Sequence, residues 1–276
     1  MSDSSSDLVP RLVTAVVGIP VLLYLIIWAP AWAFFGLIAA AGSISVWEYC
    51  SMIYGDSHVS GKVVATATTV GVLAATAFAS TYTLEVLVGA VIVIASYFLF
   101  TFSDRQRTSQ QMSASIMALV YGSLFLGALL HLHDHAHGGY WVILTLVTAW
   151  MSDTGAYFTG RAVGNTPLYA SVSPNKTIEG SIGGLVGSFV GGLFCNWLFA
   201  QIGGWESLGI GTLTLLVVPA AILAQIGDLA ESLIKRAHDA DDSGSVLYGH
   251  GGLLDRIDGL IFAAPWFYVG VVHVLQ

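Results

Sequence analysis

Charge is scarce in this sequence: only 9% of its 276 residues are Asp, Glu, Lys or Arg, whereas an ordinary soluble domain carries about 25%. So few charges cannot cover a water-facing surface, which excludes a soluble globular protein and gives no reason to expect a nucleic-acid partner. Cysteine is nearly absent too. Cys50 and Cys195 both sit inside apolar stretches, where a thiol behaves as a small hydrophobe, so neither a disulfide framework nor a thiolate metal site is expected. What the chain has instead is apolar length: 55% of its residues are hydrophobic and the mean hydropathy is +0.77. Its 17 acidic and 9 basic side chains give a formal net charge of -8, but with charges this sparse their positions matter more than their sum.

A helix needs about 20 residues to cross roughly 30 Å of hydrocarbon. Apolar runs of about that length lie near 12–28, 31–51, 63–79, 84–101, 112–132, 140–158, 179–202, 209–234 and 257–275. The expected fold is therefore all-α and polytopic, with about nine transmembrane spans. The polar, Ser-rich residues 1–11 are expected to form a disordered cytoplasmic start, followed by an N-terminal transmembrane region over 12–135 and a C-terminal catalytic transmembrane region over 136–276. Arg11 and Ala29-Pro30-Ala31 give the first run the outline of a signal peptide, but its apolar stretch is long for one and it is read as a retained span.

Basic residues concentrate in cytoplasmic connections, and connections alternate sides. With nine spans and a cytoplasmic N-terminus, Arg11, Lys62, Arg105, Arg107, Arg161, Lys176, Lys235, Arg236 and Arg256 all fall on one face. A missed or surplus span in the middle would split that set. The opposite face receives Glu85, Glu206 and the run His131 to His137, which is expected to be a solvated loop.

Ionisable residues in or beside spans are costly and mark function by default. Asp153, Asp228, Asp255 and Asp258 lie in the second half, whereas Glu48 and Glu85 are the few comparable residues of the first. Two segments concentrate the chemistry. In Ser173 to Gly180, Lys176 and two hydroxyls precede an apolar helix whose N-terminal N–H groups suit a phosphate; Ser173 and Thr177 serve equally well as caps. In the stretch from Gly227 to Asp258, acids and bases alternate. Carboxylates at the ends of different spans would share Mg²⁺ with substrate phosphates, Lys235, Arg236 and Arg256 would neutralise phosphate charge, Gly251 and Gly252 let backbone approach a ligand, and His250 would donate a hydrogen bond or move a proton.

At these residues the chain closely resembles the phosphatidate cytidylyltransferase, or CDP-diacylglycerol synthase, family. The family signature of Ser-x-x-Lys-Arg, Lys-Asp and His-Gly-Gly-x-x-Asp-Arg-x-Asp is met by Ser232, Lys235, Arg236, Asp242, His250, Gly251, Gly252, Asp255, Arg256 and Asp258. The blocks Asp153 to Arg161 and Ser173 to Gly180 are similar to family blocks as well. Two positions depart: Asp241 stands where the family usually has lysine, and Tyr248 where it usually has proline.

The resemblance implies condensation of CTP with phosphatidate to CDP-diacylglycerol and pyrophosphate, in a bacterial inner (cytoplasmic) membrane with the site facing the cytoplasm. It implies Mg²⁺, with a second cation as an alternative, and a homodimer. Asp228 and Asp255 are then the leading metal ligands, with Asp258 and Asp153 behind them. Lys235, Arg236, His250 and Arg256 complete the catalytic set, and Asp153, Arg161, Ser173, Lys176, Thr177, Glu179, Gly251 and Gly252 bind substrate, with Glu179 orienting Lys176. The main rival is an ion-coupled transporter using Asp153 and Asp228, which would not need the dense charge between Lys235 and Asp258. A non-catalytic scaffold would tolerate loss of Asp255 or Lys176. An alcohol phosphotransferase would carry an Asp-Gly-x-x-Ala-Arg block, which Asp258-Gly259-Leu260-Ile261 does not continue.

Overall fold

The computed structural model describes residues 8–55, 58–101, 103–244 and 251–274. Helices dominate: α1 (Leu8–Ile27), α2 (Ala31–Tyr54), α3 (Val59–Phe78), α4 (Thr83–Phe100), α5 (Arg105–Leu119), α6 (Leu126–Asp134), α7 (Gly138–Val163), α8 (Ile178–Ile202), α9 (Ile210–Ala237) and α10 (Leu254–Val274). A π-helical turn, Val120–Phe125, joins α5 to α6 as one rod, and between α7 and α8 lies an antiparallel hairpin, β1 (Pro167–Tyr169) with β2 (Ser173–Thr177). Among the described residues, six helical stretches are long and apolar enough to cross a membrane: Ala31–Tyr54, Val59–Phe78, Ser80–Phe100, Arg105–Asp134, Ile178–Ile202 and Ile210–Ala237. The chain is an all-α polytopic membrane protein with one small hairpin.

Helix α1 begins at Leu8, and residues 1–7 of the expected cytoplasmic start lie outside the described residues. Two expectations need correction. The rod of α5 and α6 begins at Arg105 rather than 112, because Asp104 caps it by accepting from Arg107 N at 2.8 Å. The histidine run is not a solvated loop at its beginning: α6 continues to Asp134, His131 stacks on Tyr268 of α10 at 4.9 Å, and His133 stacks on Phe34 of α2 at 4.2 Å. His133 Nε2 also lies 3.0 Å from the Ile26 carbonyl.

The helix α8 shows how this sequence packs without polar surface. Most of its glycines face α7, two of them directly against backbone: a Cβ on Gly187 would sit 2.7 Å from Met151 O, and one on Gly184 2.6 Å from Ser152 O, while Gly192 faces Val217 of α9. Small residues at this spacing let helices approach closely where hydrophobic burial supplies no drive between them. The opposite stripe, Ile182, Val186, Val190, Phe194 and Trp197, points outward, as a hydrocarbon solvent permits. The glycine stripe thus serves packing within the chain, and it brings the polar residues of α7 against the start of α8.

Candidate functional site

A cavity of 540 Å³ lies between α7, the hairpin, the start of α8 and α9. Asp153, Ala156, Tyr157, Gly160 and Arg161 recur at helical spacing and put one face of α7 on it; Ser173, Lys176 and Thr177 enter from β2, and Gln225 and Asp228 from α9. Lys176 forms an ion pair with Asp228, both side chains being about 30% exposed, at 29% and 30%. Lys176 Nζ has no hydrogen bond besides that pair among the described residues, so an ammonium with three donors keeps capacity for an anion. Arg161 Nη1 donates to Tyr157 Oη at 2.8 Å. Thr177 accepts from Gly180 N at 3.1 Å and caps α8, so the positive end of that helix borders the cavity.

Gln225 carried no role in the sequence reading. It holds three helices together behind the cavity: its Nε2 donates to Ser152 Oγ at 3.2 Å on α7 and to Ser181 O at 3.0 Å on α8, and its Oε1 accepts from Ser181 Oγ. Three residues further along α9, Asp228 shares its face. The available signal was an amide inside an apolar run. Glu179 also differs from expectation: its carboxylate accepts from Asn165 N and Thr166 N, both at 3.2 Å, and from Thr166 Oγ1 at 2.9 Å. It fastens the start of α8 to the connection between α7 and β1 and is not among the residues lining the cavity.

A second cluster forms where α9 meets α10. Asp255 Oδ1 accepts from Lys235 Nζ at 2.5 Å, while Oδ2 accepts from Ser243 N at 2.9 Å, Ser243 Oγ at 2.8 Å and Gly252 N at 3.1 Å. Lys235 also lies 3.6 Å from Glu231. Gly251 takes φ +78°, a left-handed conformation that favours glycine. Gly252 has no room for a side chain, since a Cβ would meet Gly244 N at 2.8 Å and Glu48 Oε2 at 2.9 Å.

Glu48, on α2, is buried at 2% exposure and accepts from Leu253 N at 3.1 Å and Leu254 N at 2.8 Å. Helix α10 is therefore capped by a carboxylate about 200 residues away in the chain, which satisfies N–H groups that would otherwise be orphaned. Charge-assisted bonds of this kind contribute about 1.5–3 kcal/mol each. Glu48→Ala is expected to speed tryptic cleavage at Arg256 and at the Lys235-Arg236 end of this segment, with Glu48→Gln intermediate. Equal digestion rates for wild type and both variants would remove Glu48 from this role.

The remaining expected residues are spread out. Asp258 is buried, accepts from Gly259 N at 2.7 Å, and faces a small internal void beside Glu231 and Tyr121. It lies within electrostatic reach of Asp228 and Glu231. Arg236 and Arg256 are exposed, as is Asp241. His250 and Tyr248 lie outside the described residues. Among the described residues no group of three His, Cys, Asp or Glu side chains that could hold an ion is found. Asp255 has both oxygens committed to protein donors and Asp228 is paired with Lys176. The donor chemistry of the cavity, with Asp153 and Asp228 beside Lys176 and Arg161, fits Mg²⁺, which takes one or two carboxylates and completes its shell with water and substrate phosphates.

A model of the cytidylyltransferase family matches residues 9–274. A phosphatidate cytidylyltransferase of Brucella suis biovar 1 is 46% identical over 136 residues, covering 49% of this chain and 48% of its own length. Relatives of the same name from Synechocystis sp. and Bacillus subtilis are 31% and 30% identical, cover 96% and 95% of this chain, and are themselves covered over 97% of their lengths. The chain thus spans about half the length of the Brucella relative, at 48%, and nearly all of the other two. A family match over almost every residue, with the charged cavity inside it, leads to one conclusion: the chain belongs to the cytidylyltransferase family.

Proposed function

We propose that this chain condenses CTP with phosphatidate to give CDP-diacylglycerol and pyrophosphate. The observation that carries the reading is the cavity where Lys176, Arg161, Ser173, Asp153 and Asp228 meet, in a chain whose relatives carry that activity in their names. An oxygen of the lipid phosphate attacks the α-phosphorus of CTP, and the bond from that phosphorus to the oxygen bridging to the β-phosphorus breaks, releasing pyrophosphate. The lipid phosphate is already anionic, so no protein nucleophile is needed. The protein's work is to reduce repulsion between two polyanions and to align them. In this proposal Lys176 and Arg161 bind phosphate oxygens, the start of α8 adds its dipole, and Ser173 donates a hydrogen bond. Asp228 and Asp153 would hold Mg²⁺, which supplies charge neutralisation when bound. Asp255 joins them only by exchanging Lys235, and otherwise positions the turn through Gly252.

Nine crossings with a cytoplasmic N-terminus complete the proposal, supported by the basic residues sharing one face. That topology presents Lys176 and Lys235 to the compartment that contains CTP, in the inner membrane of a bacterium. A homodimer, implied by the family resemblance, belongs to the same reading. Mass spectrometry of lipids extracted after incubating the purified protein with CTP, phosphatidate and Mg²⁺ tests the reaction. A new lipid heavier than phosphatidate by a cytidylyl group is expected, and unchanged phosphatidate in a preparation that retains its fold would refute the reaction.

A further inference from the structure

A cavity of 520 Å³ lies where the connection from α6 to α7 meets the connection from α8 to α9. At roughly 1.5 Å per helical residue, Trp141 on its wall is about 18 Å along α7 from Asp153, so this space is separate from the polar cavity. His135, His137, Trp141, Trp205, Glu206 and Ser207 line it, and no Lys or Arg does among the described residues. The wall is held in shape. Asn196, buried on α8, uses every hydrogen-bonding position of its amide on the second connection. Its Oδ1 accepts from Trp205 Nε1 and Leu208 N, both at 2.9 Å, and its Nδ2 donates to Ser207 Oγ at 3.2 Å and Leu208 O at 3.0 Å. Trp205 packs against Trp141 at 4.5 Å and Phe199 at 5.7 Å. Glu206 stands between these anchors, exposed at the cavity.

We propose that this cavity binds a primary ammonium group. Glu206 takes the charge, ring nitrogens of His135 and His137 accept N–H hydrogen bonds, and the indoles of Trp141 and Trp205 cover the adjoining methylenes and add cation–π attraction. Charge selects the occupant. A carboxylate with no lysine or arginine on the same wall attracts a cation and disfavours a phosphate or a nucleotide. A metal ion is a poorer match, since among the described residues no three carboxylate, imidazole or thiol groups come together to hold one. A quaternary ammonium has no N–H to give, so it would leave the imidazoles and the Ser207 hydroxyl without a partner. A wall fixed in advance by Asn196 also spares the ligand the cost of ordering the loop. The same ammonium chemistry is offered by an aminated lipid headgroup and by a free alkylamine.

Two probes test the site on the purified full chain. Calorimetric titration with ethanolamine, beside ethylene glycol as an uncharged analogue of similar size, reads recognition of the free amine. Native mass spectrometry after exposure to equal amounts of phosphatidylethanolamine and phosphatidylglycerol reads recognition of the headgroup. Glu206→Gln is expected to weaken whichever binding the wild type shows by about tenfold, equivalent to about 1.4 kcal/mol. Glu85→Gln, at the start of α4 and outside the cavity, should behave as wild type. Because Glu206 is exposed, its isosteric amide should melt with the wild type, and His135→Ala repeats the test from the other connection. A preference for phosphatidylethanolamine that disappears in Glu206→Gln identifies a lipid headgroup as the ligand, and ethanolamine binding without that preference identifies a free amine. Binding of both probes independent of Glu206, no binding of either, or ethylene glycol bound as well as ethanolamine would overturn the assignment.

Discussion

Replacing Lys176 by methionine is expected to lower kcat/KM for CTP by about 10²–10³-fold while leaving the protein folded. The rate effect follows from removing a fixed positive charge where negative charge is transferred, which costs about that much when one preorganised donor is lost. The stability effect is small for a separate reason. The Lys176 and Asp228 side chains remain 29% and 30% exposed, so Asp228 keeps access to solvent when the ammonium, whose nitrogen is itself buried, is removed, and the loss falls below the roughly 3–5 kcal/mol of breaking a fully buried pair. Lys176→Arg keeps the charge but changes its shape, and should retain more activity than Lys176→Met. Steady-state kinetics beside a thermal denaturation curve separates the two effects, and a variant that unfolds at room temperature would show that the residue is structural.

Asp255→Ala should behave in the opposite way, losing activity and stability together. The substitution orphans Ser243 N and Gly252 N, leaves Ser243 Oγ with only its longer 3.4 Å bond to Glu48 Oε2, and leaves Lys235 facing Glu231 alone. Ser243 is buried at 3%, and each buried donor left without an acceptor costs about 1–3 kcal/mol. A destabilisation on the order of 2–4 kcal/mol is therefore expected, visible as a lower melting temperature in detergent. Asp255→Asn preserves the shape and part of the acceptor set, so it should melt between Ala and wild type while remaining inactive. Wild-type melting behaviour in Asp255→Ala would mean that these hydrogen bonds do not hold the turn.

The parts of this protein legible in its sequence are those set by local pattern. Apolar runs near 31–51, 179–202 and 209–234 correspond to α2, α8 and α9, because helix length is imposed by the thickness of a bilayer. Lys176, Asp153 and Asp228 stood out as charges in apolar surroundings, and the cavity brings them together. What the sequence concealed depends on contacts between distant segments. Glu48 looked like an isolated acid in the first half, yet it caps α10. Gln225 was one amide in an apolar run, and only the meeting of α7, α8 and α9 gives it partners. Glu179 stands three residues from Lys176 but turns back to Asn165 and Thr166. The donors that gather on Asp255 come from Lys235, Ser243 and Gly252, which only the folded turn brings to it.

The central claim is that a cytidylyl group passes to a lipid phosphate at the cavity holding Lys176. Its most direct measurement follows CTP labelled at the α-phosphate and, in parallel, at the γ-phosphate, with phosphatidate and Mg²⁺, in wild type and Lys176→Met. The account predicts that α-label enters the lipid phase, γ-label leaves as pyrophosphate, and both transfers collapse in the variant. Label from the γ-position in the lipid, or undiminished α-transfer by Lys176→Met, would contradict it.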